Sequence, residues 1–590
     1  MQSETRRCQN CKQDFRIEPD DFAFYEKIHV PPPTWCPECR MVRRLMFRNE
    51  RTLYQRTCDL CAKNIVSVYR PGLPFPVYCP ECWWSDRWDA MAYGREYDFS
   101  KPFFVQLRKL ADTVPHMSLM QRNGTRVEYA NFLGECKNLY LAYSTVDVEN
   151  AYYSRILSRC TDIVDSLNLV DCQLCYECVD GEKNYHSSNL VRSHNCIDSH
   201  FLFDCVNCRN CVLSSNQRNQ EYLIRNKKYS KEQYTTAVSA LRLDSYSSRE
   251  KLKKELEELK RTSLHKYAEI LKSTNATGDN LINAKNADHC FDASDLENVR
   301  YSLRAVGLRE CMDADFAISS ELLYEYTSNA KSDHLVRFSQ FAFQGVQDVH
   351  YTDLCSSSSF LFGCVGVRGK EYCILNKPYT KGEYEALVPK IVAHMNETPY
   401  VDARGRTYRY GEYLPIDLSP FAYNETLAQE YFPLTKEEAL AQGYAWREPE
   451  AKTHVPTLQS VSLPDNVADI PDSITGESIE CFHRGGCNDQ CTEAFKIIPD
   501  ELQFYRRMQL PLPRLCPNCR YYERLKQCNP LKLWHRACQC SGAASENGAY
   551  KNTLQHQHGA GKCPNKFETS YAPERKEIVY CEPCYNAEVA

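Results

Sequence analysis

Between residues 123 and 395 the apolar positions recur at a spacing that is neither helical nor simply alternating. In blocks of 12, the first position holds Cys136, Val148, Cys160, Cys172, Asn184, Cys196 and Cys208. The third holds Asn138, Asn150, Asp162, Leu174, His186, Asp198 and Asn210, and the seventh Ala142, Ser154, Ser166, Cys178, Leu190, Leu202 and Ser214. A fixed short period with Asn or Asp at one phase and small residues at another is the mark of a solenoid. Asn and Asp suit corners, where their side chains can bond the backbone. Cysteine suits the inside, as a small hydrophobe. Twelve extended residues would span about 40 Å at the rise of a strand, too long for one short face. Each block is therefore expected to hold a strand, a corner and a second strand, with one or two blocks per coil.

The pattern resumes in blocks opening at Ala284, Leu296, Leu308, Ser320 and Ser332, with Ala287, Val299, Cys311, Leu323 and Leu335 at their fourth positions. Both runs end alike. Glu221-Tyr-Leu-Ile-Arg-Asn-Lys-Lys-Tyr-Ser230 aligns with Glu371-Tyr-Cys-Ile-Leu-Asn-Lys-Pro-Tyr-Thr380 without a gap. Ser230 and Thr380 stand where helix N-caps belong, before helices expected to end near Leu241 and Met395 and to cover exposed strand edges. The centre thus reads as two β-solenoids with capping helices, 123–240 and 276–395. Between them, 241–275 reads as a helical connector. Leu252, Leu256 and Leu259 share one of its faces, with Tyr267 and Ile270 further on, and the face is expected to pack on its own solenoid. Residues 396–475 show no period and read as an irregular, proline-rich linker with one short helix capped at Thr435.

At the two ends a cysteine grid replaces the 12-residue period. Cys8-x2-Cys11, Cys36-x2-Cys39, Cys58-x2-Cys61 and Cys79-x2-Cys82 are four knuckles in one run. Two thiolate pairs close one tetrahedral metal site, so the run implies two sites, grouped in that order. Near the other end stand Cys487-x3-Cys491, Cys516-x2-Cys519, Cys538-x-Cys540 and Cys581-x2-Cys584. Cys11 to Cys36 and Cys491 to Cys516 are both 25 positions apart, and Cys39 to Cys58 and Cys519 to Cys538 are both 19. The matched spacing indicates a duplicated module, placed at 1–122 and 476–590. The expected ligands are therefore Cys8, Cys11, Cys36, Cys39, Cys58, Cys61, Cys79, Cys82, Cys487, Cys491, Cys516, Cys519, Cys538, Cys540, Cys581 and Cys584. Between Cys540 and Cys581 lie His556, His558 and Cys563, which could replace a cysteine or bind a further metal.

In each copy Cys-Pro-x-Cys-Arg opens a stretch of helical character, Met41 to Phe47 and Tyr521 to Lys526. Proline fits a first helical turn, and the helix dipole favours thiolates there. With Phe15-Arg-Ile-Glu-Pro-Asp matched by Phe495-Lys-Ile-Ile-Pro-Asp, this resembles the treble-clef zinc-ribbon family of uncharacterised bacterial proteins over roughly 45 residues at each end. The duplicated cysteine pairs imply about four Zn2+ per chain, and the resemblance brings no biochemical activity.

Composition narrows the class. The chain has 590 residues, 43% of them hydrophobic, a formal net charge of -5 and 33 cysteines. It holds no run of about 18 apolar residues, and Met1-Gln-Ser-Glu-Thr-Arg-Arg7 lacks a signal-peptide core. The expected location is therefore cytoplasmic, with thiols on metal rather than in disulfides. Cys172-x2-Cys175-x2-Cys178 and Cys205-x2-Cys208-x2-Cys211 look like iron–sulfur runs but lack the usual fourth cysteine before proline, and interior cysteines are the simpler reading. Trp83, Trp84 and Trp88 are expected to cover the second metal site rather than to stack bases. No nucleophile elbow, Walker loop or zinc-protease helix is present. A closed four-sulfur site has no open position for substrate.

The expected function is accordingly a zinc-binding, non-enzymatic scaffold that presents rigid solenoid surfaces to a macromolecular partner, protein in preference to nucleic acid. The alternative is a nucleic-acid- or ribosome-associated factor using a positive strip of Arg40, Arg43, Arg44 and Arg48, reinforced by Arg51 and Arg56. An enzyme with its site on the solenoid is the third class.

Overall fold

The computed structural model describes residues 2–327, 331–341, 344–448 and 455–589. Residues 449–454 of the proline-rich stretch lie outside the described residues. Strand exceeds helix, and the chain divides into two compact units, Met1–Met120 with Ala268–Glu448, and Gln121–Tyr267 with Pro449–Ala590. Each unit thus combines the metal modules of one chain end with one of the two periodic stretches.

In the second unit the periodic stretch is a parallel sheet in which the chain hydrogen-bonds to itself 12 residues on. Tyr143 pairs with both Asn131 and Arg155, and Leu157 with both Thr145 and Leu169. Arg155–Val164 pairs ahead with Leu167–Val170 and with Gln173–Tyr176. These rejoin at Tyr185–Val191 through Val179–Glu182, closing a ring of five strands.

A shorter period underlies the 12. From Asn123 to Arg225 every third residue has a left-handed φ, between +47 and +61°. The residue after each points inward, so Cys136, Leu139, Ala142, Val148, Ala151, Cys160 and Ile163 form one buried core. Four triplets separate each residue from its partner. L-residues adopt this backbone seldom, Asn and Asp most readily. The conformation is supported by ladders of side chains 12 apart: Asn138 donates to Asn150 (2.9 Å), and Asn150 to Asp162 (3.0 Å). Asn195 donates to Asn207 (2.6 Å), and Asn207 to Asn219 (2.9 Å).

The first unit repeats the arrangement from Thr274–Arg300 to Glu371–Ile374, with Glu297 opposite Arg309. Its offset becomes 13 where Glu321 pairs His334 and His334 pairs Gln347, then returns to 12. The block expected to open at Ser332 therefore opens at Asp333. Ser332 is a left-handed corner, and buried Asp333 donates its N–H to the inward Ser320.

Ser230 caps Lys231–Ala240 and Thr380 caps Lys381–Glu397, each hydroxyl accepting the N–H three residues on. The connector helix is Tyr246–Thr262. Leu252 and Leu256 bury against Phe201, Phe203 and Val212 of the same unit. It ends before Tyr267, because Leu264–Lys266 leaves to pair in parallel with Ile578–Tyr580. Downstream, Leu463, Val467, Ile470 and Ile474 bury against Leu502 and Tyr505.

Candidate metal centres

Four hairpin-and-helix modules gather the cysteines. In the first, Glu4–Arg7 pairs with Asp14–Ile17. Cys8 follows the first strand and Cys11 precedes the second by three positions. Cys36 caps helix Pro37–Leu45, and Cys39 lies in its first turn. The second repeats this with Tyr54–Thr57, Asn64–Ser67 and helix Pro80–Trp83. Within Cys8, Cys11, Cys36, Cys39, and within Cys58, Cys61, Cys79, Cys82, the sulfurs lie inside 4.8 Å of one another. The N–H of Cys36 donates to Cys8 Sγ and that of Cys79 to Cys58 Sγ, both at 3.3 Å. Burial pushes the Cys58 thiol up, but the N–H groups of Cys79, Cys61 and Leu60 outweigh it and bring it down to about 7. Such N–H donors favour the thiolate that a metal requires.

In the C-terminal modules two of the expected ligands, Cys487 and Cys540, fall outside the gathered four-sulfur sets. Glu480 pairs with Ala494 as Arg7 pairs with Asp14. Counting from that hairpin, Cys481 stands at the place of Cys8 and Cys491 at that of Cys11. The gathered set is Cys481, Cys491, Cys516 and Cys519, and Cys516 N–H donates to Cys481 Sγ at 3.2 Å. Cys487, expected as a ligand, sits beside the set, 3.6 Å from Cys519 Sγ. It belongs to a seven-residue insertion that lengthens this knuckle and leaves a misleading Cys-x3-Cys.

In the fourth module Ala537 pairs with Lys566 as Thr57 pairs with Asn64, which puts Cys563 at the place of Cys61. The set is Cys538, Cys563, Cys581 and Cys584, and the N–H of Cys581 donates to Cys538 Sγ at 3.3 Å. Cys540, expected here, is drawn instead toward His556, His558 and Cys584. One signal was available: Cys61 to Cys79 and Cys563 to Cys581 are both 18 positions apart.

The candidate nucleic-acid contacts are not at the surface. Arg40, Arg43, Arg44 and Arg48 are each at most 1% exposed. Arg40 Nε and Arg44 Nη1 both meet Asp313 at 2.8 Å, and Arg44 Nε meets Asp315 at 2.7 Å. Arg43 bridges Glu325 (2.7 Å) and Glu412 (3.0 Å), and Arg48 pairs with Glu50 (2.6 Å). The Arg43 guanidinium also lies 4.4 Å from the Trp35 ring, and that of Arg48 3.9 Å from Phe316. The strip looked solvated because the carboxylates that meet Arg40, Arg43 and Arg44 lie between 269 and 369 residues away in sequence. The other module does the same with fewer charges: Arg520 and Arg524 share Asp165, and Arg524 also donates to Tyr153 O at 2.9 Å. Glu501, which accepts from Tyr153 and Tyr505, is pushed up to about 7 by burial.

Trp83 and Trp88 pack together at 4.6 Å, fully and nearly fully buried, whereas Trp84 of the same cluster is 44% exposed. The Cys172 and Cys205 runs occupy successive inward positions of the stack. There each thiol donates to carbonyls, Cys175 to Gln173 O (3.5 Å) and Asn184 O (3.6 Å).

The first unit also holds an apolar cavity of about 80 Å³ walled by Tyr69, Phe75, Leu107, Leu414 and Phe421. Gln340 Oε1 and Asp353 Oδ1 are buried at its wall, with no hydrogen-bond partner among the described residues. Burial pushes the Asp353 carboxyl up to about 7. A raised carboxyl contributes its full stability below the unfolded-state value near 3.8 and loses it as pH rises through 7. Asp353→Asn is therefore expected to melt near the wild type at pH 4 and above it at pH 8, by up to about 4 kcal/mol. Equal shifts at both pH values in a thermal melt would contradict this.

No helix among the described residues is long and apolar enough to cross a membrane. No family model matches the chain, and none of the curated proteins matches it.

Proposed function

We propose that this chain is a zinc-stabilised, non-catalytic scaffold, in which treble-clef zinc-ribbon modules lock two β-solenoids that present rigid faces to a protein partner. The supporting observation is where the arginines go. The helices that begin at Cys36 and Cys516 spend their buried charge on carboxylates of their own unit. The metal modules thereby act on the solenoids. Four thiolates closing each site leave no position for a substrate, which fits structural zinc. The sulfurs stay reduced in a cytoplasmic setting.

The outer ladders supply the recognition surface. Lys137–Glu149 and Arg159–Asp171 repeat along one solenoid at 2.7 and 2.6 Å, with both signs of charge. A mixed ladder suits a protein partner better than a polyphosphate, which needs one sign. The test is recovery of complexes from the native host with the intact chain and with Lys137→Glu, Arg159→Glu. Exposed pairs contribute about 0–1 kcal/mol, so the variant is expected to melt like the wild type while losing its protein partner. Undiminished recovery would overturn the assignment of this face. Salt-steep binding of RNA or DNA by the wild type would overturn the scaffold in favour of the nucleic-acid class.

A further inference from the structure

Cys538 and Cys563 stand 25 positions apart where Cys58 and Cys61 stand 3 apart, and the insertion between them brings a second ligand set against the first. Cys540, His556, His558 and Cys584 place one ligand atom each within 4.8 Å of one another, and Cys584 also belongs to the Cys538, Cys563, Cys581 set. We propose that this module holds two divalent ions, one on Cys538, Cys563, Cys581 and Cys584, the other on Cys540, His556, His558 and Cys584, with the Cys584 thiolate bridging them.

The histidine hydrogen bonds point to a metal. His556 is buried, and its Nε2 faces the fully buried Glu588 carboxylate at 2.9 Å. A carboxylate partner fixes the proton on Nε2 and leaves Nδ1 with its lone pair, 3.1 Å from Cys540 Sγ. His558 Nδ1 faces the Gly561 carbonyl at 3.0 Å, which fixes the proton there. Its Nε2 is buried without a hydrogen-bond partner. Each ring thus gives its N–H to an oxygen and keeps a bare nitrogen, the arrangement that orients histidine ligands on zinc.

The carboxylate is itself held. Glu588 accepts from the N–H and hydroxyl of Thr553, both at 2.8 Å, and from Leu554 N–H at 3.2 Å, so the insertion is tied to the helix Glu582–Val589. Asn552 Nδ2 donates to Cys540 Sγ at 3.2 Å, as Asn565 Nδ2 does to Cys581 Sγ at 3.3 Å. Donors of this kind stabilise thiolates. Two sulfurs and two imidazoles form a set suited to tetrahedral zinc, and it is closed. Without a second ion, the insertion would bury a bare imidazole nitrogen and an extra sulfur for no gain.

The proposal rests on the reading of the four-sulfur groups as zinc sites. Native mass spectrometry of the intact chain, purified without chelator and loaded with Zn2+ alone, is expected to count five ions. His556→Gln with His558→Gln should count four, and Cys540→Ser also four. In the wild type loaded with 113Cd2+, two resonances should show scalar coupling to each other through the shared sulfur. A wild-type count of four, unchanged by the histidine substitutions, would overturn the second ion and leave the four-sulfur reading intact. A count of zero would overturn both. Five ions with no cadmium–cadmium coupling would overturn the bridge. The wild-type measurements need no variant to fold.

Discussion

Removal of metal by a chelator is expected to unfold the hairpin-and-helix modules and, with them, to loosen the parallel stacks on which they sit. Structural zinc contributes about 10–16 kcal/mol of apparent binding energy in small finger peptides, most of it folding energy. The modules here have little else: the first is two strands of four residues and helices of nine. Yet the helix after Cys36 carries the arginines that neutralise Asp313, Asp315 and Glu325. When it melts, those buried carboxylates lose their partners. Burial already pushes Asp315 and Glu325 upward, against the pull of Arg44 and Arg43. Strand signal in circular dichroism should therefore fall in the same transition as zinc release and return when zinc is restored. Independence would appear as an unchanged strand melt after complete zinc removal.

Arg44→Ala is expected to be the most damaging single change away from the cysteines. Its guanidinium joins Asp313 and Asp315 at 2.8 and 2.7 Å, and none of the three side chains is exposed. Asp313 keeps Arg40, but Asp315 is left buried and uncompensated, and removing one partner from a buried pair costs about 3–5 kcal/mol. Neutralising the orphaned carboxylate together with the arginine, as Arg44→Met with Asp315→Asn, should recover most of the loss, since a well-packed neutral substitute is often no worse than the ion pair. Arg524→Ala should cost less, because Asp165 keeps Arg520. Denaturant midpoints of the three variants decide the order. If the double variant is as unstable as Arg44→Ala, unpaired charge is not the cause.

The period of 12 was legible because most inward positions meet a small or apolar residue one rung away, as Cys160 meets Val148 and Cys172. The triplet beneath it was written in the Cys-x2-Cys-x2-Cys runs. It was hidden because local spacing cannot tell an inward-facing thiol from a cluster ligand. The two steps of 13, Glu321 to His334 and His334 to Gln347, left no trace in composition, since one added residue in each block leaves the small and apolar character of the inward positions unchanged.

By itself the sequence determined the two periodic stretches, the duplication of the metal modules, and both N-terminal cysteine sets together with Cys491, Cys516, Cys519, Cys538, Cys581 and Cys584. Those features depend on spacing within short segments, where a knuckle or a repeat dictates its own geometry. Only the tertiary structure decided that Cys481 and Cys563 complete the C-terminal sets. Hairpin pairing absorbs insertions of any length between two ligands, so register across the strands, not distance along the chain, selects the cysteine. It alone decided, too, that Arg40, Arg43 and Arg44 face carboxylates rather than solvent. A charge's partner is set by which surfaces pack, and here the arginines of residues 40–44 meet acids of residues 313–325 that no local pattern connects to them.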